Sequence, residues 1–122
     1  MSSNDQSESS QRPPVSGRRM TYGDVRGVEN RVSRIVMGTL GSQELEPATV
    51  MFDDFAEAGG NCFDTARHYG AAEVVLGEWM QGRGVRAETV VITKGAHTPN
   101  CNPETVIREL AESLGRLQTD YI

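Results

Sequence analysis

Three residues of this chain carry the types and spacing that proton-transfer chemistry needs. Asp64 closes a short apolar run, Asn61–Asp64, and Tyr69 lies five residues on in Asp64-Thr65-Ala66-Arg67-His68-Tyr69-Gly70. Lys94 follows a second run, Val90–Thr93. Neighbouring strands lie about 4.8 Å apart, so if the two runs pair side by side, Asp64 and Lys94 meet at one mouth with Tyr69 in reach. A phenol near its reference pKa of about 10 donates a proton reluctantly at neutral pH, and an adjacent ammonium makes it more acidic. Asp64 would hold the lysine charged and oriented, Lys94 would polarise the Tyr69 hydroxyl, and Tyr69 could protonate a developing alkoxide. The residue types alone leave blander alternatives open: a loop or helix-capping aspartate, a Tyr-Gly turn and a plain salt-bridge lysine. Lys94 is also the only lysine beside eleven arginines. Lysine shifts its pKa readily where arginine does not, although base-composition bias produces the same count.

Other candidate residues point to less. Gly82-Arg83-Gly84-Val85-Arg86-Ala87 fits G-x-G-x-x-A, but it follows a helical pattern and precedes a strand, the reverse of a dinucleotide fingerprint. Cys62, His68, His97 and Cys101 are ligand types without a zinc spacing, so no metal site is expected. His97 reads as a loop residue that could line a substrate. No phosphate-cradling Walker loop occurs.

The elements that would position these side chains repeat along the chain. Arg34–Gly38, Asn61–Asp64 and Val90–Thr93 read as short buried strands. Asp120-Tyr121-Ile122 reads as the opening of a fourth. Between them lie three amphipathic helices. The first opens at Pro47, carries Met51, Phe52, Phe55, Ala56 and Ala58, and stops at Gly59-Gly60. The second spans Ala71–Gln81, buries Val75, Leu76, Trp79 and Met80, and stops at Gly82. The third is capped by Asn102, starts at Pro103, and buries Ile107, Leu110, Leu114 and Leu117. Alternation of this kind implies a parallel sheet with right-handed crossovers, whose functional groups collect at the carboxyl ends of the strands. Thr21–Val25 and Arg31–Ser33 suggest a leading hairpin, and residues 1–19, poor in apolar side chains, suggest a disordered tail.

Length and charge narrow the classes further. A chain of 122 residues makes at most one compact domain and is too short for a complete (β/α)8 barrel. A net charge of −5 argues against a general nucleic-acid partner. No apolar run approaches the ~20 residues of a membrane span. Two cysteines suggest a reducing compartment, here read as the cytoplasm. A strand begun in the last three residues has no natural boundary, which favours a fragment of a longer fold.

Asp64-Thr65-Ala66-x-x-Tyr69-Gly70, Glu73-x-x-Leu76-Gly77, Ile92-Thr93-Lys94 and Glu112-Ser113-Leu114-x-x-Leu117-x-x-Asp120-Tyr121-Ile122 together resemble the aldo-keto reductases. Val32-Ser33-Arg34-x-Val36-Met37-Gly38-Thr39 is similar to that family's first barrel strand. The likeness runs in order over residues 20–122. It implies an α/β fold, the N-terminal half of a (β/α)8 TIM barrel with a leading hairpin, and NADPH-dependent reduction of an aldehyde or ketone. It places Tyr69 on the proton donor, Lys94 on the lysine that tunes it and Asp64 on the aspartate paired with that lysine. Gly38, Thr39 and Asp64 fall beside the nicotinamide end of the cofactor. The expected partner is a small carbonyl substrate, with the oligomeric state left open.

The departures from the family are also specific. Its catalytic histidine and its main cofactor-phosphate loops have no counterpart here, and Ala72 replaces a serine that would cap the second helix. The 122 residues alone are therefore expected to be inactive. Two competing readings remain: a non-catalytic half-barrel serving as a binding or assembly module or a decayed gene product, and a small flavodoxin-like sheet.

Overall fold

The computed structural model describes residues 19–122, so the tail expected over residues 1–19 lies outside the described residues except for Arg19. Two short strands, β1 (Tyr22–Gly23) and β2 (Val32–Ser33), pair antiparallel as the expected hairpin. Then follow β3 (Val36–Gly38), α1 (Leu45–Glu57), β4 (Cys62–Asp64), α2 (Ala72–Arg83), a 3-10 turn (Arg86–Glu88), β5 (Val90–Ile92) and α3 (Pro103–Leu117). The strands β3, β4 and β5 form a parallel sheet in chain order, with Gly38 opposite Asp64 and Asp64 opposite Ile92.

Period-two alternation divides the sheet into two faces. Met37, Phe63 and Val91 meet a shared core of Ala48, Phe52 and Phe55 from α1, Val75, Leu76, Trp79 and Met80 from α2, and Leu117 from α3. Phe63 stands edge-on to Phe52 and Phe55, with ring centroids 5.2 and 5.3 Å apart. The other face is open, with Val36 42 % and Ile92 45 % exposed. The hairpin docks at the amino ends of the strands, where Asn61 Oδ1 accepts from the Ser33 amide at 2.8 Å. The carboxyl ends are left clear.

Local chemistry moves several expected boundaries. Helix α1 begins two residues before Pro47, which therefore occupies the third helical position. The first four helical amides have no intrahelical acceptor, so proline loses nothing there. Its buried stripe is Ala48, Phe52 and Phe55, whereas Met51, Ala56 and Ala58 face outward. Helix α2 passes Gly82 and ends at Gly84, whose left-handed φ of 65° lets the Gly84 and Val85 amides turn back onto Gln81 and Met80. Asn102 caps α3 as expected, its Oδ1 accepting from the Thr105 amide at 2.9 Å.

Two further expectations are corrected. The apolar stripe of α3 is only half covered: Leu117 is buried where α2 packs against it at Gly77, but Ile107 is 70 % exposed and Leu110 is also exposed. Asp120–Ile122 is not a strand. Instead the Arg86 guanidinium lies 3.8 Å from the Tyr121 ring centroid and donates to the Tyr121 carbonyl at 2.6 Å.

Helices α2 and α3 approach so closely that a Cβ on Gly77 would lie 2.6 Å from the Arg116 carbonyl oxygen and 2.9 Å from the Leu117 carbonyl carbon. These are backbone atoms and cannot rotate away. Gly77→Ala should therefore lose about 1–3 kcal/mol in a urea titration. Gly115, with open space around it, should gain about 1 kcal/mol on substitution by alanine. Equal effects at the two glycines would contradict the close crossing.

Candidate active site

The parallel register delivers Asp64 and Lys94 to the same end of the sheet. Asp64 is the last residue of β4, and Lys94 lies two past the end of β5. The pairing continues beyond the regular strands, since the Thr65 amide donates to Ile92 and the Arg67 amide to Lys94, both at 2.8 Å. The Lys94 ammonium donates to Asp64 Oδ1 and, at 2.8 Å, to the Thr65 carbonyl. It also lies 5.1 Å from the Tyr69 ring centroid. The three residues whose types suggested proton transfer are therefore brought together.

Burial by itself would lower the pKa of Lys94, but the hydrogen bond and charge of Asp64, with Tyr69 nearby, outweigh it and hold the group above the ordinary lysine value. At neutral pH this site holds an ammonium. Both side chains of the pair remain partly exposed, 43 % for Lys94 and 41 % for Asp64, so solvent reaches the mouth.

Gly38 and Thr39 occupy different environments. Gly38 lies opposite Asp64 on the open face, with no atom within 4 Å of where a Cβ would stand. Thr39 is fully buried, and both its amide and its hydroxyl donate to the Asp64 carbonyl at 3.0 Å. It thus holds the backbone from which the Asp64 carboxylate projects.

Several positioning contacts were invisible to sequence reasoning. Gln43 reaches across from the loop after β3; its Nε2 donates to the Tyr69 carbonyl at 2.8 Å and its Oε1 accepts from the Ala71 amide at 2.8 Å. That acceptor serves the start of α2, which has no capping side chain of its own. Nothing in the spacing of Gln43 announces this role. Arg67 pairs with Glu112 at 2.7 Å, and the Ala96 amide donates to Glu109 Oε2 at 3.0 Å, so α3 steadies both loops that flank the mouth. His68 and His97 stack, with ring centroids 4.2 Å apart, beside Tyr69. Cys62 is buried in β4, remote in character from the exposed Cys101.

Comparison with known proteins identifies the family and the fold. The sequence profile of the Aldo/keto reductase family matches residues 34–122. AAD14 of Saccharomyces cerevisiae, an aryl-alcohol dehydrogenase by name, is 37 % identical over 101 residues, covering 70 % of this chain and 27 % of that protein. The aryl-alcohol dehydrogenase [NADP(+)] of Phanerodontia chrysosporium is 42 % identical over 57 residues, covering 45 % of this chain and 15 % of that protein. The structure superposes on aldo-keto reductase AKR11C1 from Bacillus halodurans in its holo form with a TM-score of 0.71 at 26 % identity, covering 85 % of this chain and 38 % of that one. The chain thus spans well under half the length of these relatives. A parallel β/α sheet with this register, its charged pair at the carboxyl ends and a profile match across most of its length carry one conclusion: the chain belongs to the aldo/keto reductase family of oxidoreductases, and its fold is part of that family's barrel.

Proposed function

We propose that these residues form the proton-donating part of the active site of an NADPH-dependent reductase that converts an aldehyde or ketone to an alcohol. The observation that carries this reading is the Asp64–Lys94 pair standing beside the Tyr69 ring at the open mouth. As a carbonyl is reduced, negative charge builds on its oxygen. The Tyr69 hydroxyl gives its proton to that oxygen, and the phenolate left behind faces the Lys94 ammonium. Asp64 keeps that ammonium charged and pointed, and Thr39 keeps Asp64 in place.

A nicotinamide cofactor, when bound, supplies the hydride. The residues present fit a flat ring: Gly38 leaves its face of the sheet bare next to Asp64. Gly38, Thr39 and Asp64 would border the nicotinamide end, Thr39 by holding the Asp64 strand end in place, since its amide and hydroxyl both donate to the Asp64 carbonyl. The name of the Phanerodontia chrysosporium relative supports NADPH over NADH, and both relatives' names favour aromatic aldehydes among possible substrates. The two free thiols, Cys62 and Cys101, support a cytoplasmic setting. Among the described residues, no helix is long and apolar enough to cross a membrane.

The test is a chimera in which residues 34–122 replace the matching segment of the Bacillus halodurans reductase. Its NADPH consumption with a series of aromatic and aliphatic aldehydes is the measurement. Reduction of an aldehyde is the expected result. A folded chimera that binds NADPH yet reduces none of them would sink the reading. It would favour a second reading, a non-catalytic assembly module, for which the uncovered stripe of Val106, Ile107 and Leu110 on α3 speaks.

A further inference from the structure

Glu73 has no part in the proton transfer described above, yet its side chain is fully buried in the first turn of α2. We propose that Glu73, together with Thr93 and Arg116, is a brace that sets the spacing between Tyr69 and Lys94. Each carboxylate oxygen has one donor: Thr93 Oγ1 reaches Oε2 at 2.7 Å, and Arg116 Nε reaches Oε1 at 3.2 Å. Thr93 is bonded directly to Lys94 along the chain. Arg116 also donates through its second nitrogen to the Gly70 carbonyl, next to Tyr69. The buried carboxylate therefore connects the strand end that carries Lys94 to the loop that carries Tyr69.

Energetics favour a positioning role over a purely stabilising one. A buried ion pair costs desolvation, and well-packed apolar residues of similar volume often stabilise a fold as well or better. What such residues cannot do is fix two backbone segments in direction as well as distance. Gln43 grips the same loop from the opposite side through the Tyr69 carbonyl and the Ala71 amide. Tyr69 is thus held from two sides, and Lys94 is joined to its loop both directly, by the Arg67 amide on the Lys94 carbonyl, and through Thr93 and Glu73.

Because Lys94 is the only lysine, a sample labelled with carbon-13 at the lysine ε-carbon gives one side-chain resonance from this site. The Tyr69 ring close to its ammonium displaces the ε-proton signals, and Tyr69→Leu in the same chain supplies the zero of that displacement. Thr93→Val and Glu73→Leu should each remove about half or more of the displacement, since the Arg67 amide alone then ties the strand end to the loop. Thr93→Ser, which keeps the hydroxyl, should restore it. Asp53→Asn is the control for general loosening, because it removes the charge and the Oδ2 acceptor that pair Asp53 with Arg83, on helices away from the strand ends that carry Asp64 and Lys94. It should leave the signal in place.

Full retention of the displacement in folded Thr93→Val and Glu73→Leu would overturn the brace, as would an equal loss in Asp53→Asn. Unfolding of both Thr93→Val and a second variant, Thr93→Ala, would overturn it too, since the bond would then hold the fold rather than the pair. The importance of the spacing rests on the proposed roles of Tyr69 and Lys94, but the resonance is read without catalysis. An inactive chimera with an intact brace signal would remove the reductase reading alone.

Discussion

Tyr69→Phe in the active chimera should lower kcat for aldehyde reduction by about 10²–10⁴-fold, the usual contribution of a positioned general acid. The substitution deletes one oxygen and leaves the ring in place beside the Lys94 ammonium, so NADPH binding should hold and the loss should fall on kcat. Fluorescence titration with NADPH and steady-state kinetics separate the two. If Tyr69→Phe retained wild-type kcat, the proton would come from elsewhere and the central assignment would fail. A rise in KM with unchanged kcat would mean that the hydroxyl only binds substrate. Lys94→Met should give a comparable loss through a different route, because the phenolate would form without a facing positive charge.

Phe52→Ala should cost about 3–5 kcal/mol, the largest stability loss expected in this chain. Phe52 is completely buried at the centre of the aromatic cluster, edge-on to Phe63 at 5.2 Å and to Trp79 at 5.5 Å. Truncation removes the contacts of a whole ring and leaves a cavity that its two rigid neighbours cannot collapse to fill. Denaturant unfolding of the 122-residue chain measures the effect, and a loss below about 1 kcal/mol would show that the cluster repacks. The site should feel the same change. Phe63 precedes Asp64 in β4, so a loosened Phe63 frees the strand end from which the carboxylate projects.

The sequence made the site more legible than the packing around it. Asp64 and Lys94 were readable because they stand at the ends of short apolar runs, and parallel pairing of consecutive runs brings such ends together whatever surrounds them. Tyr69 followed from its distance along one loop. Helix boundaries were less legible, because Pro47 fits the third helical position as well as the first, and Gly82 and Gly84 offer competing stops. Only the left-handed turn at Gly84 distinguishes them. The stripe on α3 was misjudged for a different reason. Periodicity reports that Ile107 and Leu110 are apolar and on one side, but not whether another element reaches them.

From the residues alone, then, came the order of strands and helices, the family and the three groups that meet at the mouth. Each of these depends on local pattern or on the short reach between adjacent strand ends. The tertiary structure decided what local pattern cannot encode: that Gln43 and Arg116 grip the Tyr69 loop from opposite sides, and that Glu73 links it to Thr93. It also decided that Thr39 spends its hydroxyl on the Asp64 backbone. Such partners lie 20 to 46 residues apart in the chain. Their pairing follows from where whole elements pack, because a hydrogen bond forms only after packing has set both its distance and its direction.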